Sequence, residues 1–259
     1  MKYYPSVILS KKYEVEGTFI FRCALKRDNN ALSYLPGQYV YLANPTYKNP
    51  WEAHPFSIAS SPTQKKYLEF CIKVYGPWTQ ELSKKKIGDS LYISQNTGNF
   101  IWNSDISHAA FLLGGIGISP IMSMLRFIAE SNKQPSSITM LYGNRTPDTI
   151  AYKRELELLQ DIIQNFNILH IFSDLSGNHS GQGYHGFITE DIIKKEINLR
   201  KKPTFFMVGP PIFLQKMKSI LQDLTIRKDK IKSESLASTH FIYTRHQDER
   251  QYLLPSSSG

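Results

Sequence analysis

Leu112-Leu113-Gly114-Gly115-Ile116-Gly117-Ile118-Ser119-Pro120 decides how this chain is read. The apolar run Ala109 to Leu113 predicts a buried strand. Beyond the glycines, Ile121, Met122, Leu125 and Ile128 recur at helical core spacing with polar residues between. Strand, glycine turn, helix is the arrangement that holds a pyrophosphate. Gly114, Gly115 and Gly117 let the backbone approach an anion, and the free N–H groups at the helix start face it. Pro120 suits a first helical turn, where no amide donor is needed. A plain strand-to-helix turn also uses glycine, so the surrounding chain has to decide.

Downstream, strands alternate with helical stretches. Strands are expected at 109–113, 138–142, 168–172 and 204–208, and helices at about 121–130, 153–164, 189–195 and 211–224. That alternation implies a parallel sheet with helices on both faces, whose ligands bind beyond the carboxyl ends of the strands. Tyr142-Gly143-Asn144-Arg145 and Val208-Gly209-Pro210-Pro211 both fall at such ends. Upstream, short strands dominate: Ser6 to Leu9, Thr18 to Leu25, Tyr39 to Leu42, Tyr67 to Val74 and Ser90 to Ser94, with one helix near 79–85. Many short strands with turns between them predict an antiparallel barrel. The expected layout is a β-barrel domain over 1–105, an α/β domain over 106–236 and a polar C-terminal extension over 237–259.

Composition narrows the class. The 259 residues are 41% hydrophobic and 20% charged, which is globular rather than disordered. The two cysteines, Cys23 and Cys71, are read as buried free thiols, too few for a four-cysteine iron–sulfur cluster or a structural zinc. Met1-Lys2-Tyr3-Tyr4-Pro5 lacks the apolar core of a secretory signal, and the most apolar region, 109–125, is broken by glycines and a proline. The expectation is a cytosolic protein without a membrane span; peripheral contact at the inner face of a membrane is the alternative. The net charge of +9 fits an acidic partner protein, an anionic membrane face, nucleic acid or simply a solvated basic surface.

Two motifs of the first domain carry further chemistry. His54-Pro55-Phe56-Ser57 offers an imidazole, an aromatic ring and a hydroxyl within four residues, a set that suits a flat cofactor with a phosphate tail. A strand with a buried Phe and a surface His has the same residues. Lys73-Val74-Tyr75-Gly76-Pro77-Trp78-Thr79 ends a strand and begins a helix, where free amides and the Thr79 hydroxyl suit a second phosphate; an ordinary capped helix is the plainer alternative.

With these motifs in order, the sequence resembles the ferredoxin–NADP reductase superfamily, most closely the soluble dehydrogenase portion of ferric reductases and NADPH oxidases. Pro36-Gly37-Gln38-Tyr39, His54 to Ser57, Gly76 to Thr79, Gly114 to Pro120, Tyr142 to Arg145 and Gly209-Pro210-Pro211 carry the likeness over about residues 5–236. The resemblance implies an FAD-binding antiparallel barrel followed by a nicotinamide-nucleotide domain, with hydride passing from NAD(P)H to FAD and electrons to a separate haem, iron–sulfur or ferredoxin-like acceptor. Alternatives are a free-standing ferric-chelate or flavin reductase, and a non-catalytic FAD-binding regulatory subunit.

By that resemblance, Ser57 bonds near the reactive nitrogen of the flavin and Phe56 stacks beside the ring. His54 and Pro55 face the FAD pyrophosphate, joined by Lys73, Gly76, Trp78 and Thr79. Gly114, Gly115, Gly117 and Pro120 form the dinucleotide turn, with Tyr142, Gly143, Asn144, Arg145, Gly209 and Pro210 around the nicotinamide nucleotide. Val208 stands where many relatives carry Cys. The aromatic that covers the flavin in plant-type members has no evident counterpart: Leu236 lies at that place, with Tyr243 and Tyr252 further on. Asp174, and the absence of Arg between Arg154 and Arg200, favour NADH over NADPH, because a carboxylate accepts ribose hydroxyls and repels a ribose phosphate. Lys84-Lys85-Lys86, Arg200-Lys201-Lys202 and Arg227-Lys228 are the basic runs expected to dock an acidic acceptor. No role in binding nucleic acid or metal is expected.

Overall fold

The computed structural model describes residues 2–26, 32–50, 52–174, 183–235 and 241–242, the last pair as backbone. Strands β1 (Tyr3–Val15), β2 (Thr18–Leu25), β3 (Tyr39–Ala43), β4 (Glu52–Ser57), β5 (Leu68–Lys73) and β6 (Ser90–Ser94) form one antiparallel sheet in the order β4-β3-β6-β1-β2-β5. Its ends meet: beyond β4, the Ala59 amide donates to the Glu69 carbonyl at 2.8 Å, and the Glu69 amide to Ser60 Oγ at 3.1 Å. The sheet thus curls into the expected barrel around Phe19, Phe21, Phe70, Leu42 and Ile93. Helix α1 (Pro77–Lys84) caps it by burying Trp78 and Leu82.

The second sheet is parallel throughout. It holds β7 (His108–Gly114), β8 (Ser137–Asn144), β9 (Phe166–Phe172), β10 (Tyr184–His185), β11 (Thr204–Gly209) and β12 (Ile231–Ser235), in the order β10-β9-β8-β7-β11-β12. Helices α2 (Ile118–Ala129), α3 (Lys153–Ile162), α4 (Glu190–Glu196) and α5 (Pro211–Asp223) cover both faces. Alternate residues of β7 serve opposite cores. Ala109, Phe111 and Leu113 pack with α2 and α3, while Ala110 and Leu112 pack with α4 and α5. A strand buried on both sides must be apolar at every position, which is why 109–113 reads as an unbroken run. The chain reverses its strand order between β7 and β11, so the crevice for a ligand opens at their carboxyl ends.

The two domains share a core. Phe100 and Trp102, from the segment that joins the sheets, pack on Phe206, with ring centroids 5.5 and 5.7 Å away. Ile20, Ala59 and Cys71 of the barrel lie in the same cluster as Ile121, Leu125 and Tyr152. Both cysteines are free and buried, as expected.

Several elements differ from the sequence reading. His54 to Ser57 lies within β4 rather than between strands, because the barrel supplies β3 as its antiparallel partner. β1 runs thirteen residues, since it pairs with both β2 and β6. α2 begins at Ile118, three residues early, and keeps Pro120 within its first turn. β10 and β12 were not expected: polar residues fill them because each lies on a sheet edge. In the C-terminal extension, β13 (Phe241–Ile242) returns to the barrel and pairs antiparallel with Ala53 and Glu52 of β4. Leu236, Tyr243 and Tyr252 lie outside the described residues.

Gly117 differs in what its missing side chain faces. A Cβ there would sit 2.6 Å from the Val208 carbonyl oxygen, so this glycine lets the helix start pack on β11 rather than opening a path for a ligand. Gly115, at φ +56°, has no atom within 4 Å of that position. Gly117→Val should therefore lower the unfolding free energy by about 2–3 kcal/mol through overpacking. Gly115→Ala should cost only about 1 kcal/mol of backbone strain. Denaturant unfolding of both variants checks the order.

Candidate functional site

Both domains open onto one cleft of about 2380 Å³, several times the roughly 300–1,000 Å³ of an ordinary ligand pocket. The barrel wall supplies Tyr39, Tyr41, His54, Phe56, Ser57 and Lys73, and the α/β wall Gly114, Gly115, Asn144, Arg145, Phe187 and Pro210. Two helix starts face it. At α1, Gly76 holds φ +82° as the N-cap, with open space where a Cβ would be and Pro77 next. At α2, the Gly115–Gly117 turn exposes the amides that follow β7. Each start presents unpaired N–H groups, so the cleft has two anion cradles.

On the barrel side, Trp78 organises the wall. Its ring stacks on Phe56 at 5.6 Å and on His54 at 4.5 Å, and its Nε1 donates to the Glu52 carbonyl at 3.3 Å. His54 Nε2 lies 2.9 Å from Glu52 Oε1, so the imidazole is held by a carboxylate on the same strand. Ser57 ends β4 opposite Tyr39 and lines the cleft with Pro55. Thr79 departs from expectation: its Oγ1 accepts from the Tyr75 amide at 2.7 Å and donates to the Gly76 carbonyl at 3.1 Å. The hydroxyl builds the turn and has no hydrogen left for a phosphate.

On the α/β side, Gly143, Asn144 and Arg145 extend β8 into the cleft. Asn144 Nδ2 is buried beside the Tyr142 hydroxyl, behind the cleft wall that the residue lines. Asp174 is tied to the neighbouring strand end. Its amide donates to the Arg145 carbonyl at 3.0 Å, and its Oδ2 lies 3.5 Å from Arg145 Nε. The carboxylate therefore has an arginine beside it, contrary to the sequence argument, which looked only between Arg154 and Arg200. Arg145 came into reach through sheet pairing, not through sequence distance.

Asp174 does not itself line the cleft, and four further expected contacts lie elsewhere. Tyr142 is fully buried among the α2 and α3 residues. Pro120 is buried inside α2, and Gly117 packs on β11. A Cβ on Gly209 would meet the Phe213 ring at 2.5 Å, so its smallness accommodates that ring. In each case strand alternation or helix phase turns the residue away from the cleft. The basic runs also sit differently. Arg200–Lys202 and Arg227–Lys228 precede β11 and β12, at the end of the sheet opposite the cleft. Lys85 is buried and Lys84 pairs with Glu81. The lysines that do line the cleft are Lys48, Lys73, Lys216 and Lys232.

The sequence reading also missed Phe187, three-quarters exposed in the cleft wall, and Glu234 near the end of β12. An aromatic directly after Gly186 was a signal for the first; nothing local marks the second. Among the described residues Glu234 Oε2 is buried without a partner, and burial pushes its carboxyl up to about 7. Among the described residues no helix is long and apolar enough to cross a membrane, and no group of three or more His, Cys, Asp or Glu side chains is placed to hold a metal.

The residues fit two dinucleotides, one of them carrying a flat ring. Two open glycine-led cradles, an aromatic barrel wall and the size of the cleft all agree. Comparison with known proteins gives the same division. Residues 7–110 match the model of an FAD-binding domain, and residues 111–219 that of an oxidoreductase NAD-binding domain. The chain is 26% identical to NADH-cytochrome b5 reductase 2 of Rattus norvegicus, covering 88% of this chain and 93% of that protein. It is 27% identical to the anthranilate 1,2-dioxygenase electron transfer component of Acinetobacter baylyi, covering 92% and 68%. In structure it resembles the FAD/NAD-binding domain of nitric oxide dioxygenase from Vibrio cholerae, with a TM-score of 0.80 at 21% identity over 90% of this chain and 98% of that one.

Glu234 yields a test of the site's electrostatics. Its carboxyl is raised from the ordinary 4.5 to about 7, so across that window the folded chain keeps a proton that the unfolded chain has lost. Stability contributed by this group therefore falls as pH rises. In the flavin-free protein, Glu234→Gln should gain on wild type between pH 5 and pH 8, by at most about 3 kcal/mol. Denaturation at both pH values measures it.

Proposed function

We propose, for a chain that belongs to the ferredoxin–NADP reductase superfamily and passes a hydride from NAD(P)H to FAD and then electrons to a separate acceptor, that NADH is the favoured reductant and an acidic electron-transfer protein the acceptor. The observation that carries the reading is the pair of glycine-opened helix starts facing one cleft. When bound, FAD supplies a ring that takes up two electrons together and releases them singly.

The chain's own residues bind and orient. The amides at the start of α1, with His54, hold the FAD pyrophosphate; Phe56 stands beside the ring, backed by Trp78. Ser57, at the end of β4 on the cleft wall, would offer its hydroxyl to the reactive nitrogen of the flavin. The Gly114–Gly115 turn takes the nicotinamide nucleotide's pyrophosphate, and Phe187 offers a face to its adenine. Val208 at the end of β11 brings no thiol, so hydride transfer rests on positioning. Glu234 is able to hold a proton at neutral pH on the cleft wall.

Asp174 supports the choice of NADH, because a carboxylate accepts bonds from two free ribose hydroxyls. Arg145 beside it offsets part of the repulsion toward a ribose phosphate, so the preference is modest. The acceptor reading rests on the names of the relatives, on the net charge of +9 and on the cleft-rim residues Lys48 and Lys73.

The purified protein should hold FAD, and its flavin absorbance should bleach faster with NADH than with NADPH at limiting concentration. Asp174→Arg should reverse that order, and Arg145→Ala should sharpen it, each by about tenfold, the equivalent of roughly 1.4 kcal/mol. A wild type clearly faster with NADPH overturns the assignment. Transfer to an acidic haem protein should slow as salt rises, and Lys73→Glu should slow it at low salt. Indifference to salt points instead to a small acceptor such as a ferric chelate or free flavin.

A further inference from the structure

We propose that the polar face of α2 sets the distance between hydride donor and acceptor, with Arg126 as its main positioning residue; this rests on the NAD(P)H-to-FAD reading above. Ser119, Ser123, Arg126 and Glu130 recur along α2 at helical spacing, and every one of them bonds to the barrel. Ser119 Oγ donates to the Cys71 carbonyl at 3.2 Å and Ser123 Oγ to the Ser60 carbonyl at 2.7 Å. Arg126 Nη1 donates to the Ala59 carbonyl at 2.7 Å, and Glu130 Oε2 accepts from Ser61 Oγ at 2.8 Å. Arg126 also pairs with Glu69 of β5 at 2.8 Å and with Glu155 of α3 at 2.6 Å.

The partners fall at functional places. Ala59, Ser60 and Ser61 continue the strand that carries Phe56 and Ser57, and Glu69 and Cys71 lie on the strand that ends at Lys73. The tip of α2 is the Gly115–Gly117 turn itself. One helix about 18 Å long thus carries the nucleotide turn at its start and grips the flavin wall along its length. Ser123, Arg126 and Glu130 do not line the cleft, so they act on the reaction only through position. Hydrogen bonds to fixed carbonyls resist sliding in a way that an apolar seam does not. Hydride transfer depends steeply on such registry: a displacement of about 1 Å costs on the order of 10²-fold in rate.

The test compares FAD-loaded wild type with Ser123→Ala, Ser61→Ala/Ser123→Ala and Glu69→Gln/Arg126→Met. Ser123→Ala leaves no orphan, because the Ser60 carbonyl also accepts from the Tyr34 hydroxyl at 3.0 Å. Anaerobic stopped-flow reduction gives the rate constant and the nucleotide dissociation constant. The long-wavelength charge-transfer absorbance reports how the two rings overlap, and small-angle scattering of the flavin-free proteins reports how the domains sit. The expected result is reduction about tenfold slower in the serine variants and about a hundredfold slower in the charge pair variant. The charge-transfer band should weaken and the radius of gyration of the charge pair variant should rise. Nucleotide affinity and FAD content should stay near wild type. If the charge pair variant does not fold, the serine variants decide. Wild-type rate and band in the serine variants overturn the inference. A wild-type flavin that neither nucleotide reduces overturns the underlying reading as well.

Discussion

The structure depends on one buried charge cluster. Glu69, 1% exposed on the barrel, faces Arg126, 15% exposed on α2, and each carries further partners. Arg22 Nε and the Tyr152 hydroxyl also bond to Glu69, at 2.8 and 3.0 Å, and Glu155 takes Arg126 in a bidentate pair. Burial alone would raise the Glu69 carboxyl, but Arg126 and Arg22 outweigh it and hold the group below its usual range. Charges taken out of water favour a fold only when their geometry is satisfied from several sides. Here the sides belong to different domains, so the cluster rewards one relative placement and penalises any other.

That constraint keeps the antiparallel and the parallel sheet facing each other across the cleft. The barrel brings flat aromatic surface and a helix start at Gly76. The parallel sheet brings its switch point between β7 and β11. Neither wall binds both partners of a hydride transfer alone, and the seam between them is where the chemistry must occur. Tyr152 shows the tightness of that seam. It holds a left-handed backbone at φ +60°, with its amide on Glu14 and its hydroxyl on Glu69, a conformation kept only where the surroundings over-determine it.

Much of this was legible in the sequence where the physics is local. The apolar run before Gly114, the Gly-Pro start of α1 and the alternation of strands with helices each announce themselves within ten residues. Longer-range features were silent. Ser119, Ser123 and Arg126 look like the solvent side of an amphipathic helix, and only the barrel packed against them shows that they face protein. Asp174 and Arg145 are far apart in sequence and adjacent only through β8–β9 pairing. The side on which a glycine is needed is equally invisible: Gly115 faces open space and Gly117 a carbonyl, yet they read alike.

Phe100 and Trp102 fill a core that belongs to both halves, and the Trp102 amide donates to the Pro36 carbonyl at 3.0 Å. Cutting the chain at the compositional boundary near Ile106 would strip the α/β half of two large side chains and leave them wet on the barrel. The halves are therefore not interchangeable modules. A change in a loop or on the rim therefore acts on a cleft whose two walls are held by one core.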